Sequence, residues 1–231
     1  MSAFTQGLYP FEVVLLIGGA VLLVILLIGL TAGLIRGKIP TILVPLFIIS
    51  IVMIGYPSVQ SIKYKDLTVS LNNQLQQVLA NPTDPNTRNT LAQVANQVAS
   101  RPGTDPATVA TLASAQYALG DEKAAQVNLD KVLKIDPNQP AAVTLKNKMT
   151  SVNKLKQLAD TVEKNPSDAA AKQQLAVVTS QVSKLPLANS QAIATLAKGQ
   201  SLIGDQQAAQ KSTQKALKIN PNAFKLKATN P

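Results

Sequence analysis

The side chains best placed to do chemistry here are cations. Lys211, Lys215 and Lys218 recur at the three- and four-residue steps of one helix face, and Lys225 and Lys227 follow them near the end of the 231-residue chain. Such a stripe is either a solvated face or a contact for an acidic protein or anionic lipid heads, to which each juxtamembrane basic residue contributes about 1 kcal/mol. Covalent and metal chemistry has little to work with. The chain has no histidine and no cysteine, which removes the usual general base near neutral pH, the commonest metal ligand, thiol nucleophiles and disulfides. No glycine-rich phosphate cradle or nucleophile–base pair is visible, and the carboxylates fall mostly at loops and helix starts. A non-enzyme with no catalytic residues, cofactor or metal is therefore expected.

These cations are unevenly distributed, and the asymmetry exposes a duplication. Residues 68–147 shifted forward by 84 lie without a gap on residues 152–231: Leu133–Asn138 falls on Leu217–Asn222, Gly120-Asp121 on Gly204-Asp205, and Thr111-Leu112-Ala113 on Thr195-Leu196-Ala197. Self-similarity at a fixed period is the mark of a stacked repeat. The first copy carries six basic and six acidic residues; the second has eleven Lys against Asp160, Glu163, Asp168 and Asp205, a net +7 within the chain's +10. A basic face without stacking aromatics excludes nucleic acid as the expected partner.

Ahead of the copies lies an apolar region. Val13–Ile35 is an uncharged run of 23 residues, long enough to cross a hydrocarbon layer of about 30 Å as a helix. Arg36-Gly-Lys38-Ile-Pro40 interrupts it, and Thr41–Tyr56 supplies a second, shorter stretch, so residues 1–57 read as a transmembrane hairpin with spans at about 13–35 and 41–56. Arg36 and Lys38 in the tight loop favour a cytoplasmic loop and place both termini outside, in a bacterial inner membrane. Gly29, Gly33 and Gly37 recur every fourth residue, the spacing that lets membrane helices approach closely. Pro45 is expected to kink the second span. Glu12 sits at the membrane boundary, where a carboxylate is tolerated.

Within each copy, Pro, Gly and Asp divide four helical stretches, about 58–80, 86–100, 106–119 and 121–135, then the same set 84 residues on. Val109, Leu112, Ala113 and Gln116 share one face, as do Ala125, Leu129, Val132 and Leu133; two such stripes bury each other. The second span has no linker to the stretch after Ser58, so the membrane helix is expected to run into the first repeat helix. The fold class is all-α: a transmembrane hairpin, then an α-solenoid of about eight helices in units 58–151 and 152–231.

Leu112-Ala113, Gly120, Ala125, Leu129, Val132 and Pro137, and again Leu196-Ala197, Gly204, Ala209, Ala216 and Pro221, stand in the order and spacing of the tetratricopeptide repeat, which these stretches resemble. Gln116, Gln200 and Thr213 depart from its large apolar positions. The resemblance implies a superhelix whose first helices line a concave peptide-binding groove, here with Ala110, Ser114 and Tyr117, then Ala194, Lys198 and Ser201. Function is then expected to be that of a membrane-anchored scaffold, an accessory subunit or assembly factor of an envelope membrane complex. A small transporter or channel subunit assembled through the hairpin, and a self-assembling homo-oligomer, are the alternatives.

Overall fold

A run of apolar residues with no charge favours a helix wherever backbone groups must be satisfied without water, and this is what the first segment forms. A computed structural model describes residues 5–37, 41–101 and 105–224, so Lys38, Lys225 and Lys227 lie outside the described residues. Helix α1 spans Pro10–Ile35 and α2 spans Leu43–Ala80. At about 1.5 Å per residue, the 26 residues of α1 exceed the thickness of a bilayer core. Both helices are long and apolar enough to cross a membrane, and only 11% of the most apolar window of each is buried within the protein. A core helix of a water-soluble fold would be mostly covered.

Helix α2 runs 38 residues without a break, so the second apolar stretch and the first repeat helix are one element, as expected from the missing linker. Pro45, expected to kink the second span, falls in the first turn of α2. It is the third residue of the helix, where a proline's absent N–H has no intrahelical partner to lose. The interior proline is Pro57, and one residue on, the Ser58 hydroxyl donates to the Ile54 carbonyl at 2.7 Å.

The remaining helices are α3 (Pro85–Ala99), α4 (Pro106–Leu119), α5 (Glu122–Ile135), α6 (Pro140–Lys164), α7 (Ala169–Ser183), α8 (Ser190–Leu202) and α9 (Gln206–Ile219). Shifted by 84, α3 coincides with α7 and α5 with α9 at both ends, α4 and α8 start together, and α2 and α6 end together. The duplicated sequence folds into duplicated helices. Equivalent side chains punctuate them: Asp121 and Asp205 each accept an N–H from the third residue on, Ala124 at 3.0 Å and Ala208 at 3.1 Å, which satisfies a free amide at the helix start. Gly120 and Gly204 precede them with φ of +100° and +88°, a conformation that glycine adopts without steric cost.

The chain divides into two compact units, residues 1–69 with 97–105 and residues 70–96 with 106–231. In the second, α4 packs on α5, α6 on α7 and α8 on α9, while α6 also packs on both α4 and α8. One apolar core runs through these helices, from Val109 and Tyr117 through Leu129, Leu155 and Leu175 to Ile193 and Ala216. Across the duplication, Arg88 of α3 donates to the carbonyls of Ala188 at 3.0 Å, Ala118 at 3.3 Å and Pro82 at 3.4 Å. Burial lowers the pKa of its guanidinium, so its bonds to three carbonyls offset a real desolvation cost. Asn189, fully buried, donates to Glu122 at 3.0 Å and caps α8 through Gln191 and Ala192.

In the first unit, α1 and α2 come close together at Gly19. A β-carbon there would stand 2.8 Å from Met53 Cβ and 2.9 Å from Ile54 Cγ1, and the buried Ser50 hydroxyl donates to the Gly19 carbonyl at 2.8 Å. Gly29 meets Leu43 only at an ordinary 3.8 Å and Gly33 is buried. Gly37 has left the helix: with φ +66° it follows the C-cap Arg36, and no described residue comes within 4 Å of its β-carbon position. Its role is to end α1, as a left-handed glycine does.

Candidate functional site

Three helices of the second unit surround an open groove of about 820 Å³. Helix α6 contributes Lys156, Asp160 and Glu163, α8 contributes Ala194, Lys198 and Ser201, and α9 contributes Gln206, Gln210 and Gln214; Phe224 also lines it. The residue spacings put each trio on one helix face. What aims α6 at α8 is the core beneath, where Leu155 and Ala159 on α6 are fully buried.

Lys198 is the electrostatic centre. Its ammonium donates to Asp160 Oδ1 at 2.8 Å and Glu163 Oε2 at 2.7 Å. Partial burial pulls its pKa down, but the hydrogen bonds and charges of the two carboxylates prevail and hold it above the ordinary lysine value. With Lys156, the described lining sets two cations beside two carboxylates.

Of the sequence-derived groove residues, Ala194, Lys198 and Ser201 line this cavity, and those of the first copy do not. Tyr117 is 5% exposed and belongs to the core; burial, then the charge of Glu122, raise the pKa of its phenol. Ala110 is fully buried, and the Ser114 hydroxyl is turned back to the Ala110 carbonyl at 3.0 Å. The reason is packing: α6 lies against α4 and covers the face a groove would need.

The basic stripe falls on a different part of α9. Lys211 and Lys218 are exposed, Lys215 is half-buried, and burial lowers the Lys215 pKa; none of the three lines the groove.

A second constellation lies in the first unit. Glu12, only 1% exposed, accepts the Tyr9 backbone N–H at 2.8 Å and Arg101 Nη1 at 3.4 Å. Arg101 also donates to the Gly7 carbonyl at 3.3 Å and Gln60 Oε1 at 2.7 Å, and its guanidinium lies 5.3 Å from the Tyr9 ring centroid. A buried carboxylate needs such partners. The sequence singled out Glu12 for its position but gave no sign that Arg101, 89 residues on, neutralises it. The arrangement fastens the segment after α3 to the start of α1.

Compared with known proteins, the chain matches no protein-family model, no curated protein and no solved structure.

Proposed function

We propose that this protein is a membrane-anchored scaffold of the tetratricopeptide type, an accessory subunit or assembly factor of a bacterial envelope membrane complex that docks a segment of a partner protein in the α6–α8–α9 groove. The groove carries the reading: it is concave, lined by apolar and polar side chains together, and built on helices rather than loops, the setting in which recognition side chains are held in place. The repeated α4–α5 and α8–α9 pairs joined through α6 are the neighbour pattern that a stacked helical repeat requires. Uncovered apolar faces on α1 and α2 support anchoring in the inner membrane, and Arg36 beside the hairpin turn supports an extracytoplasmic repeat domain.

The test is native purification from membranes in mild detergent, comparing the parent with Gln210→Trp, an exposed substitution that fills the groove without touching the core. A stoichiometric partner complex that is lost in the variant, with helicity unchanged, is expected. An identical set of proteins with both chains, or a bare monomer with the parent, overturns the reading. Protease reaching the repeats only from the cytoplasmic side overturns the topology.

A further inference from the structure

From the register of α1 on α2 we infer that lipid acyl chains cover α2 as far as Val59, three residues beyond Tyr56, and that the Glu12–Arg101 pair holds Ser100 among the phospholipid head groups; this rests on the membrane anchoring proposed above. The second span expected from the sequence, 41–56, has 16 residues, about 24 Å as a helix. It falls short of a hydrocarbon layer of about 30 Å. The apolar face continues where the run was read to stop: Val52, Tyr56, Val59 and Ile62 recur at steps of four and three along α2, which keeps them on one side, and all are exposed, Val59 at 49% and Ile62 at 60%. The polar residues among them are taken up by the protein. The Ser58 hydroxyl donates to the Ile54 carbonyl, Gln60 Oε1 accepts Arg101 at 2.7 Å, and Ser61 is buried. Charge begins only at Lys63.

Helix α1 sets the same boundary independently. Gly29 lies against Leu43, Gly19 against Met53 and Gly7 against Tyr64, so a step back along α1 is matched by an equal step forward along α2. Six residues from Gly19 and six from Met53 put Val13 level with Val59, and Val13 opens the uncharged run of α1. Just beyond that level stand Glu12 and Arg101, which bonds both Glu12 and Gln60. A carboxylate at the edge of the hydrocarbon is tolerated when it is paired. Tyr9 is at the depth that tyrosine favours in a membrane, and its hydroxyl donates to the Ser100 carbonyl at 2.8 Å. Tyr9 and Arg101 thus fasten a segment about 90 residues on in sequence to the level where head groups begin, and Ser100 itself is exposed there.

The chain has no cysteine, so a nitroxide can be placed at one site at a time through Val52→Cys, Val59→Cys, Val69→Cys or Ser100→Cys, in the full chain reconstituted into phosphatidylcholine bilayer discs. Electron paramagnetic resonance reads the access of oxygen, which concentrates in hydrocarbon, against that of a water-soluble nickel chelate. The oxygen-to-nickel ratio at Val59 is expected to match that at Val52 and to stand several-fold above that at Val69, ten residues on and about 15 Å further along the helix, with Ser100 between the two. In Tyr9→Phe/Arg101→Ala, which removes both fastenings, the Ser100 ratio is expected to fall to the Val69 level while Val52 and Val59 keep theirs; the unchanged pair separates loss of the fastening from loss of the fold. A Val59 ratio equal to that of Val69, or a Val59 label shielded from both reagents, overturns the acyl-chain contact and leaves anchoring standing. A Ser100 ratio equal to that of Val69 in the parent, or unmoved in the double variant, overturns the head-group contact. A water-like ratio at Val52 overturns anchoring itself.

Discussion

The two copies have solved one packing problem in two ways, and exchanging the solutions is a quantitative test of their equivalence. At corresponding positions the first copy has Leu71, Ala95 and Ala115, and the second has Leu155, Thr179 and Gly199; all six are buried. A β-carbon on Gly199 would lie 2.9 Å from both Leu155 Cδ1 and Thr179 Oγ1, where ordinary contacts start at 3.4 Å. The larger Thr179 thus occupies the room that the glycine leaves. Overpacking costs about 1–3 kcal/mol, while alanine in place of a mid-helix glycine returns about 1 kcal/mol. Gly199→Ala alone is therefore expected to destabilise by about 1 kcal/mol, a fall of about 2–4 °C in Tm for a chain of this size. Thr179→Ala removes a methyl together with a buried hydroxyl that has no hydrogen-bond partner among the described residues, and these effects roughly cancel. In the double variant the overlap is gone and the helix propensity gain remains, so its Tm is expected at or above the parent's. Thermal unfolding followed by far-ultraviolet circular dichroism in detergent micelles gives the full cycle. Simple additivity of the two single effects would refute the exchange, because residues that share one space must couple.

Three further outcomes are expected from the same structure. Gln116 Oε1 accepts Asn128 Nδ2 at 2.8 Å, but its counterpart Gln200 Oε1 is buried with no partner among the described residues, where Ser212 stands in place of the asparagine; Ser212→Asn should stabilise by about 1 kcal/mol, and an unchanged Tm would count against the equivalence. Arg88→Ala should cost about 2–3 kcal/mol through three lost charge-assisted bonds, with increased amide hydrogen exchange concentrated at residues 186–190; Arg88→Lys should recover only part, since one ammonium lacks the guanidinium's fork. Gly19→Leu should disrupt the α1–α2 crossing while Gly29→Leu is tolerated, as read by protease resistance of the membrane segment in detergent; equal sensitivity would place the crossing elsewhere.

The helices themselves were legible in the sequence because their signals are local. Asp84, Asp121, Asp168 and Asp205 were readable as punctuation, and each accepts backbone N–H groups at the start of α3, α5, α7 or α9. The stripe Ala125, Leu129 and Val132 was readable as a core face and is buried. Helix ends a period of 84 apart needed only the alignment of the chain with itself. Glycine spacing carries less: Gly29, Gly33 and Gly37 follow a rule about helix contacts, yet a spacing does not say which neighbour each glycine meets, and it did not point to Gly19, where Met53 and Ile54 approach closely.

What the sequence alone determined was an all-helical chain with two long apolar helices, a duplication, and a second copy richer in lysine. Hydrophobic runs, periodicity and caps act within a few residues, so no tertiary information is needed to read them. What the tertiary structure decided was which faces remain open. Tyr117 and Lys198 were read alike as groove residues, but α6 packs on α4 as well as α8, so Tyr117 is enclosed in the core while Lys198 looks across an open cavity at Asp160 and Glu163. Glu12 and Arg101, and Arg88 and Ala188, pair across 89 and 100 residues. Partnerships of that range depend on how helices stack, and a linear pattern carries the propensity of each helix without the angle at which it meets its neighbours.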